Sequence, residues 1–313
     1  MIFAVIGAGA VGGYFGARLH EAGHTVRFLA RGSHLKEIQN KGLHLKSISG
    51  DYHLQNVEAF DQIKKIGPVD VVLVAVKAWQ VKEIAEQLLP LAKSETFFVP
   101  LQNGVEAHAQ LSSILGKERV LGGLCGLIAF LEKPGLIRHV GADPFLTFGE
   151  QNQKSSKRTK DLEKSLSNCR GLTGRLSEDI EKSVWEKFLL ISAFSGVGGV
   201  TRMPIGIIRS IPETRKMLDD ALREVVDVAN SRGIDLNENT LKKTWQFFDT
   251  LPPQGTASMQ RDLIEGKPSE LESQTGVIVR YGKQSKIPTP INSFIYNTLL
   301  PSEKIARGDL NLP

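Results

Sequence analysis

Gly7, Gly9 and Gly12 stand in the spacing Gly-x-Gly-x-x-Gly, within the run Gly7-Ala8-Gly9-Ala10-Val11-Gly12. Each glycine has its own physical use. The first permits a tight turn, and the second leaves no Cβ between the backbone and an approaching pyrophosphate. The third lets a following helix pack closely on the preceding strand. The anion would then sit at a helix N-terminus, where unpaired N–H groups and the helix dipole favour negative charge. An NAD-preferring site places Asp or Glu about 20 residues further on, against the ribose 2′-hydroxyl. Here that place reads Phe28-Leu29-Ala30-Arg31. A carboxylate would repel a 2′-phosphate, whereas a guanidinium pairs with it bidentately. The pattern predicts a dinucleotide site that prefers NADPH to NADH.

Lys77 and Asn103 each follow an apolar run, over residues 69–76 and 96–101. Ligands bind outside the carboxyl ends of strands in open α/β sheets, so both residues are expected at a cofactor cleft. The elements that must position them follow from the pattern. Residues 2–6, 25–29, 69–76 and 96–101 read as strands, the third nearly all β-branched as a strand buried on both faces should be. Residues 11–22 and 80–92 read as helices between them. Residues 120–130 and 136–140 read as further strands joined by a turn at Pro134-Gly135. Residues 154–164 are polar and basic, an exposed loop running into a surface helix. Beyond Ser177 helical periodicity dominates, over residues 179–193, 212–232, 237–248, 270–283 and 290–299. The expected fold is α/β. An N-terminal Rossmann-type doubly wound parallel sheet spans residues 1–177, and a C-terminal all-helical domain spans residues 178–313, with a cleft between them.

Bulk properties narrow the class. A chain of 313 residues has room for one large domain or two ordinary ones, and 41% hydrophobic and 23% charged content are those of a soluble globular protein. Its longest nearly apolar run, residues 189–200, is too short to cross a bilayer. The N-terminal apolar run reads as a strand rather than a leader. Cys125 and Cys169 share no metal or redox spacing, which suits a reducing, cytoplasmic setting. A net charge of +5 suits an anionic cofactor and substrate, and no basic patch interleaved with aromatics suggests nucleic acid. His20-Glu-Ala-Gly-His24 matches a zinc-protease pattern. Gly23 should end that helix and leave His24 beyond it, so no metal is expected. His34, His44, His53, His108 and His139 form no ligand spacing.

Several separate motifs together resemble the ketopantoate reductase (2-dehydropantoate 2-reductase) family. They are Gly-Ala-Gly-Ala-Val-Gly, Val-Lys77-Ala-Trp-Gln, Gln-Asn103-Gly, Trp185-Glu-Lys187-Phe, Ser258-Met-Gln-Arg-Asp262 and Pro268-Ser-Glu270. The resemblance runs over essentially the whole chain. It implies a Rossmann domain and a helical domain, NADPH, and reduction of a 2-oxo acid to a 2-hydroxy acid. It assigns the dinucleotide to Gly7, Ala8, Gly9, Ala10, Val11, Gly12, Arg31, Lys77, Asn103, Ala129 and Glu270. It makes Lys187 the catalytic lysine, and it places Asn103, Lys187 and Ser258 at the substrate, Ser258 on its carboxylate. An ammonium beside the ketone oxygen would polarise it and supply the proton. Trp185 and Phe188 flank Lys187 and would depress its pKa if they desolvate it.

The chain also departs from that family. Where well-known members carry substrate-facing asparagines, it has Ile191 and Ser195, four and eight residues beyond Lys187, and Ile205. Gly255 replaces another asparagine, before Ser258. An apolar replacement removes a partner for a substrate hydroxyl. The expected substrate is therefore 2-dehydropantoate or a related, more apolar 2-oxo acid. Two other readings stay open: a β-hydroxyacid dehydrogenase on a similar frame, and an NADPH-binding protein without turnover. A homodimer is also left open.

Overall fold

The computed structural model describes residues 1–311; Leu312 and Pro313, the end of the expected second domain, lie outside the described residues. The chain divides into two compact units. One comprises residues 1–102 and 106–183, the other residues 103–105 and 184 onward.

In the first unit β1 (Ile2–Ile6), β2 (Thr25–Leu29), β5 (Glu58–Phe60), β6 (Val69–Val74) and β7 (Ala92–Pro100) form a sheet in the order β5-β2-β1-β6-β7. Every pairing in it is parallel. Side chains alternate between its faces, as the two-residue period requires. Phe3, Val5, Val71 and Leu73 enter one core, and Ala4, Ile6, Val72 and Val74 the other. The second of these cores is closed by α3 (Val81–Ala85) and α4 (Ala107–Leu115), through Val81, Ile84, Leu111 and Leu115. The helix expected over residues 80–92 is broken: 3₁₀ turns at Ala78–Gln80 and Glu86–Leu91 flank α3. Pro90 explains the second break, since it has no N–H to donate and disfavours helical backbone before it.

The first core is closed by α1 (Ala10–Glu21) and by a second sheet beyond it. That mixed sheet holds β3 (Leu43–Ser47), β4 (Tyr52–Leu54), β8 (Gly122–Lys133), β9 (Leu136–Gly149) and β10 (Thr173–Leu176). The strands expected around Pro134-Gly135 are its long antiparallel hairpin, not members of the parallel sheet. Gly135 makes the turn at φ +74°, a left-handed conformation that favours glycine. α2 (Gly32–Lys41) follows β2, and α5 (Lys157–Ser167) precedes β10.

α6 (Ile180–Thr201) runs from the end of the first unit into the second, where the remaining elements are helical. They are α7 (Ile205–Ser210), α8 (Pro212–Ser231), α9 (Glu238–Thr250), α10 (Ser258–Ile264), α11 (Val277–Ser285) and α12 (Pro290–Arg307). A π-helical turn, Glu272–Gly276, leads into α11. Glu224 on α8 caps α12, accepting from the N–H groups of Ile291 and Asn292 at 2.7 and 2.8 Å. Among the described residues no helix is long and apolar enough to cross a membrane.

Candidate functional site

The glycine turn joins β1 to α1. Gly7 has φ +103°, and a Cβ there would stand 3.0 Å from the carbonyl oxygen of Ala75. Around Gly9 nothing lies within 4 Å of an added Cβ, so its backbone faces open space. A Cβ on Gly12 would fall 2.1 Å from the Gly7 oxygen and 2.8 Å from Val5 Cγ1. The N–H groups of Gly7 and Ala8 donate to Leu29 O, tying the turn to β2. Gly9 is the N-cap of α1 without a side-chain cap, and the helical ladder begins at Gly13 N–H to Gly9 O, 2.8 Å. The amides of Ala10, Val11 and Gly12 therefore precede the ladder, the arrangement that receives an anion.

Arg31 is the exposed N-cap of α2, two residues past β2. It lines a surface cleft of about 350 Å³ with Leu29, Asp61, Lys64 and Gln87. Lys77 is exposed two residues after Ala75, the residue that abuts Gly7, with its Nζ 5.7 Å from the Trp79 ring centroid. Gln102 donates from Nε2 to Val74 O and Val76 O, both at 2.9 Å, and so holds the segment leading to Lys77. Ala129 is half-buried on β8 opposite His139.

In the second unit Lys187, Asn103 and Glu270 come together. Lys187 Nζ donates to Asn103 Oδ1 at 2.8 Å, and Asn103 Nδ2 donates to Glu270 Oε2 at 3.3 Å. Gln274 Nε2 donates to the same oxygen at 3.2 Å. A cation, an amide and a carboxylate thus stand in line, each polarising the next. Glu270 is buried and its neighbour Ser269 is anchored. The N–H of Ser269 donates to both carboxylate oxygens of Glu303, at 3.1 and 3.0 Å, while Arg307 bonds Glu303 Oε1 and Ser269 O. Gly104, at φ +111°, lies against Ser273 O, where a Cβ would be 3.0 Å away. The π-turn thereby backs the residue that follows Asn103. An ammonium held in this way can stabilise negative charge developing on an adjacent oxygen and deliver a proton to it.

Trp185 and Phe188 are buried and pack edge to face on each other, centroids 5.5 Å apart. They lie about 200° and 100° round the helix axis from Lys187, so their rings serve the core rather than enclose its ammonium. Ile191 and Ser195 share the helical face of Lys187; Ile191 is half-buried and Ser195 buried. Ile205 is wholly buried, and its N–H donates to Gly255 O at 3.0 Å. It braces the segment before Ser258 and does not line an open wall. Ser258 is exposed in the first turn of α10 and stands outside the Lys187–Asn103–Glu270–Gln274 line of bonds. His24 lies beyond α1, its ring bonded to Ser165 O, while His20 meets the Tyr52 hydroxyl. His34, Gln102 and Gln274 escaped the sequence reading. Only Gln102 carried a signal, its place directly before Asn103.

A Rossmann-type sheet with a bare glycine turn, and a helical unit carrying a lysine tied to an amide and a carboxylate, define a nicotinamide-dependent oxidoreductase. Comparison with known proteins gives the family. Residues 3–153 match the family model described as ketopantoate reductase PanE/ApbA, and residues 179–303 match the model of its C-terminal part. The chain belongs to this family and is an NAD(P)-dependent oxidoreductase. It is 29% identical over 299 residues to an uncharacterised oxidoreductase, YkpB, of Bacillus subtilis strain 168, covering 96% of this chain and 98% of that protein. A solved 2-dehydropantoate 2-reductase from Geobacter metallireducens GS-15 superposes with a TM-score of 0.90 at 29% identity, covering 96% of this chain and 100% of that one. A D-mandelate dehydrogenase solved with NADH and anilino(oxo)acetate shares the fold, with a TM-score of 0.89 at 23% identity, covering 98% and 99%.

Proposed function

We propose that this enzyme uses NADPH to reduce a 2-oxo acid to a 2-hydroxy acid, with 2-dehydropantoate to pantoate, a step of pantothenate and coenzyme A synthesis, as the leading reaction. The bond from Lys187 Nζ to Asn103 Oδ1 carries this reading, because it holds an ammonium in one direction. In the proposed mechanism Lys187 is the general acid: it draws charge from the ketone and donates a proton to the oxygen as the alkoxide forms. Asn103 aims the ammonium, and Glu270 fixes the Asn103 amide from its other side. Ser258 binds the substrate carboxylate.

The chain's residues fit a dinucleotide phosphate. The open space at Gly9 admits a pyrophosphate to the amides of Ala10, Val11 and Gly12, and Arg31 supplies a guanidinium for a 2′-phosphate. Lys77, Ala8 and Ala129 complete the cofactor contacts, with Asn103 and Glu270 toward the nicotinamide. When bound, the cofactor supplies the hydride. The division of labour follows the expected domains, residues 1–177 for the cofactor and 178–313 for catalysis and substrate, except at Asn103, which belongs with the second unit. The setting is cytoplasmic and the partner a small molecule rather than nucleic acid or membrane.

Ile191 favours a second substrate reading. It puts an apolar, half-buried side chain one helical turn from Lys187, which suits an alkyl or aryl group better than a hydroxyl. Steady-state kinetics with NADPH and NADH over a panel of branched, aryl and hydroxylated 2-oxo acids tests both. Highest kcat/KM on 2-dehydropantoate supports the leading reaction, and highest kcat/KM on an apolar oxo acid supports the second. Nicotinamide binding without turnover on any member would overturn both.

A further inference from the structure

His34 sits on the first turns of α2 and bonds in two directions. Its Nδ1 receives the N–H of Gly135 at 3.0 Å, and its Nε2 is 2.7 Å from Ala8 O. The partners dictate the proton's position. A backbone N–H can only donate, so Nδ1 accepts; a carbonyl can only accept, so Nε2 carries the hydrogen. Burial lowers the pKa of His34 from its ordinary value, against the opposing effect of the Ala8 bond, which agrees with a neutral ring. The imidazole therefore links the turn between β8 and β9 to the glycine turn between β1 and α1.

Ala8 O is a telling atom to hold. It belongs to the peptide group that continues into Gly9, and in a trans peptide the carbonyl and the following N–H point in opposite directions. Fixing the oxygen of Ala8 toward His34 fixes the N–H of Gly9 the other way. Gly9 is the residue whose surroundings are open for 4 Å around an added Cβ. Glycine backbone is the most permissive there is; Leu29 O holds the N–H groups of Gly7 and Ala8, and the bond from His34 holds the peptide plane that follows them.

We infer that His34 is a positioning residue for the dinucleotide: its Nε2–H clamps Ala8 O and so presets the N–H of Gly9, one further donor beside the amides of Ala10, Val11 and Gly12. The inference rests on the proposed assignment of the cofactor to that turn. Preorganisation of this kind acts on binding rather than on the chemical step.

Two amide substitutions separate the halves of the clamp. Glutamine can place an amide N–H near the position of Nε2, whereas asparagine can place only an acceptor near Nδ1. Binding of NADPH is measured by its fluorescence in wild type, His34→Ala, His34→Gln and His34→Asn, with melting temperatures and saturating kinetics alongside. Loss of one hydrogen bond should weaken NADPH binding roughly three- to tenfold in His34→Ala, with the loss in KM for NADPH rather than in kcat at saturation. His34→Gln should recover most of the affinity and His34→Asn should not. If asparagine restores binding as well as glutamine, or if the alanine variant binds as wild type does, the clamp is wrong while the cofactor reading stands. If the wild type binds neither NADPH nor NADH, both fall. A lowered melting temperature with unchanged affinity assigns His34 to stability alone and also overturns the inference. Should the alanine variant fail to fold, the glutamine and asparagine pair decides the matter.

Discussion

Lys187 alone is an ordinary lysine on a long, mostly apolar helix; its partners make it a candidate acid. Asn103 takes one of its hydrogens at 2.8 Å, and Asn103 is in turn engaged by Glu270. Replacing Lys187 with alanine should lower kcat by about 10²–10⁴, while NADPH binding, read by fluorescence, stays near wild type. Full turnover in the variant would remove the assignment. Arg31 is proposed to act on cofactor choice. A charge-assisted bond is worth about 1.5–3 kcal/mol, so Arg31→Ala should reduce the NADPH over NADH preference in kcat/KM by roughly ten- to a hundredfold. An unchanged ratio would return Arg31 to the solvated surface. The sequence pointed to these two residues for different reasons. Arg31 occupies a position defined by counting from the glycines, and Lys187 lies within a recognisable motif. His34 was not legible, because its bonds are to residues distant in the chain, Ala8 and Gly135.

The element that organises the first unit is α1, packed between the parallel sheet and the mixed one. Its glycines mark both contacts. A Cβ at Gly16 would lie 2.3 and 2.5 Å from two atoms of the Phe28 ring on β2, and one at Gly13 would lie 2.1 Å from Ile137 Cδ1 on β9. In an exposed helix Gly→Ala stabilises by about 1 kcal/mol. At Gly16 the collision outweighs that gain, and overpacking should leave a net loss of about 1–3 kcal/mol in urea unfolding. Phe28→Leu added to Gly16→Ala should recover part of it, whereas additive losses would show that the ring is not the obstacle. In the parallel sheet β1, β2, β6 and β7, with α1, followed from apolar periodicity and from glycine stops, whereas β5, α2 and α4 did not. The mixed sheet did not, because β3 and β4 are short, and their apolar residues, Leu43, Leu45 and Leu54, gain meaning only against α1 and β9. α7 and α10 escaped for a related reason, being too short for a helical period to register.

At the scale of the molecule the histidines decide how stability responds to acid. The pKa values of His24, His34, His44 and His108 are lowered from the ordinary 6.5, in each case chiefly by burial. Smaller effects act on each: the Ser165 carbonyl opposes the shift at His24, His53 adds to it at His44, and Glu181 opposes it at His108. Once pH falls below about 6.5, the unfolded chain binds protons at these rings while the folded chain still resists them. Stability rises with pH wherever the unfolded state holds more protons, so acidification through this window must destabilise the fold. Carboxylates extend the trend at lower pH. Burial opposes ionisation of Asp70 and Glu150, but hydrogen bonds outweigh it, from Ile2 N–H and Lys93 to Asp70 and from Arg158 and Ser156 to Glu150, and both pKa values lie below the usual range. Thermal melts should therefore show one fall in Tm from about pH 6.5 downward and a second below about pH 4. His108→Gln, which removes one of the buried titrating rings, should flatten the first fall without moving the second. A Tm that holds or rises between pH 6.5 and pH 5 would mean that these rings accept protons as readily folded as unfolded, against the lowered pKa values.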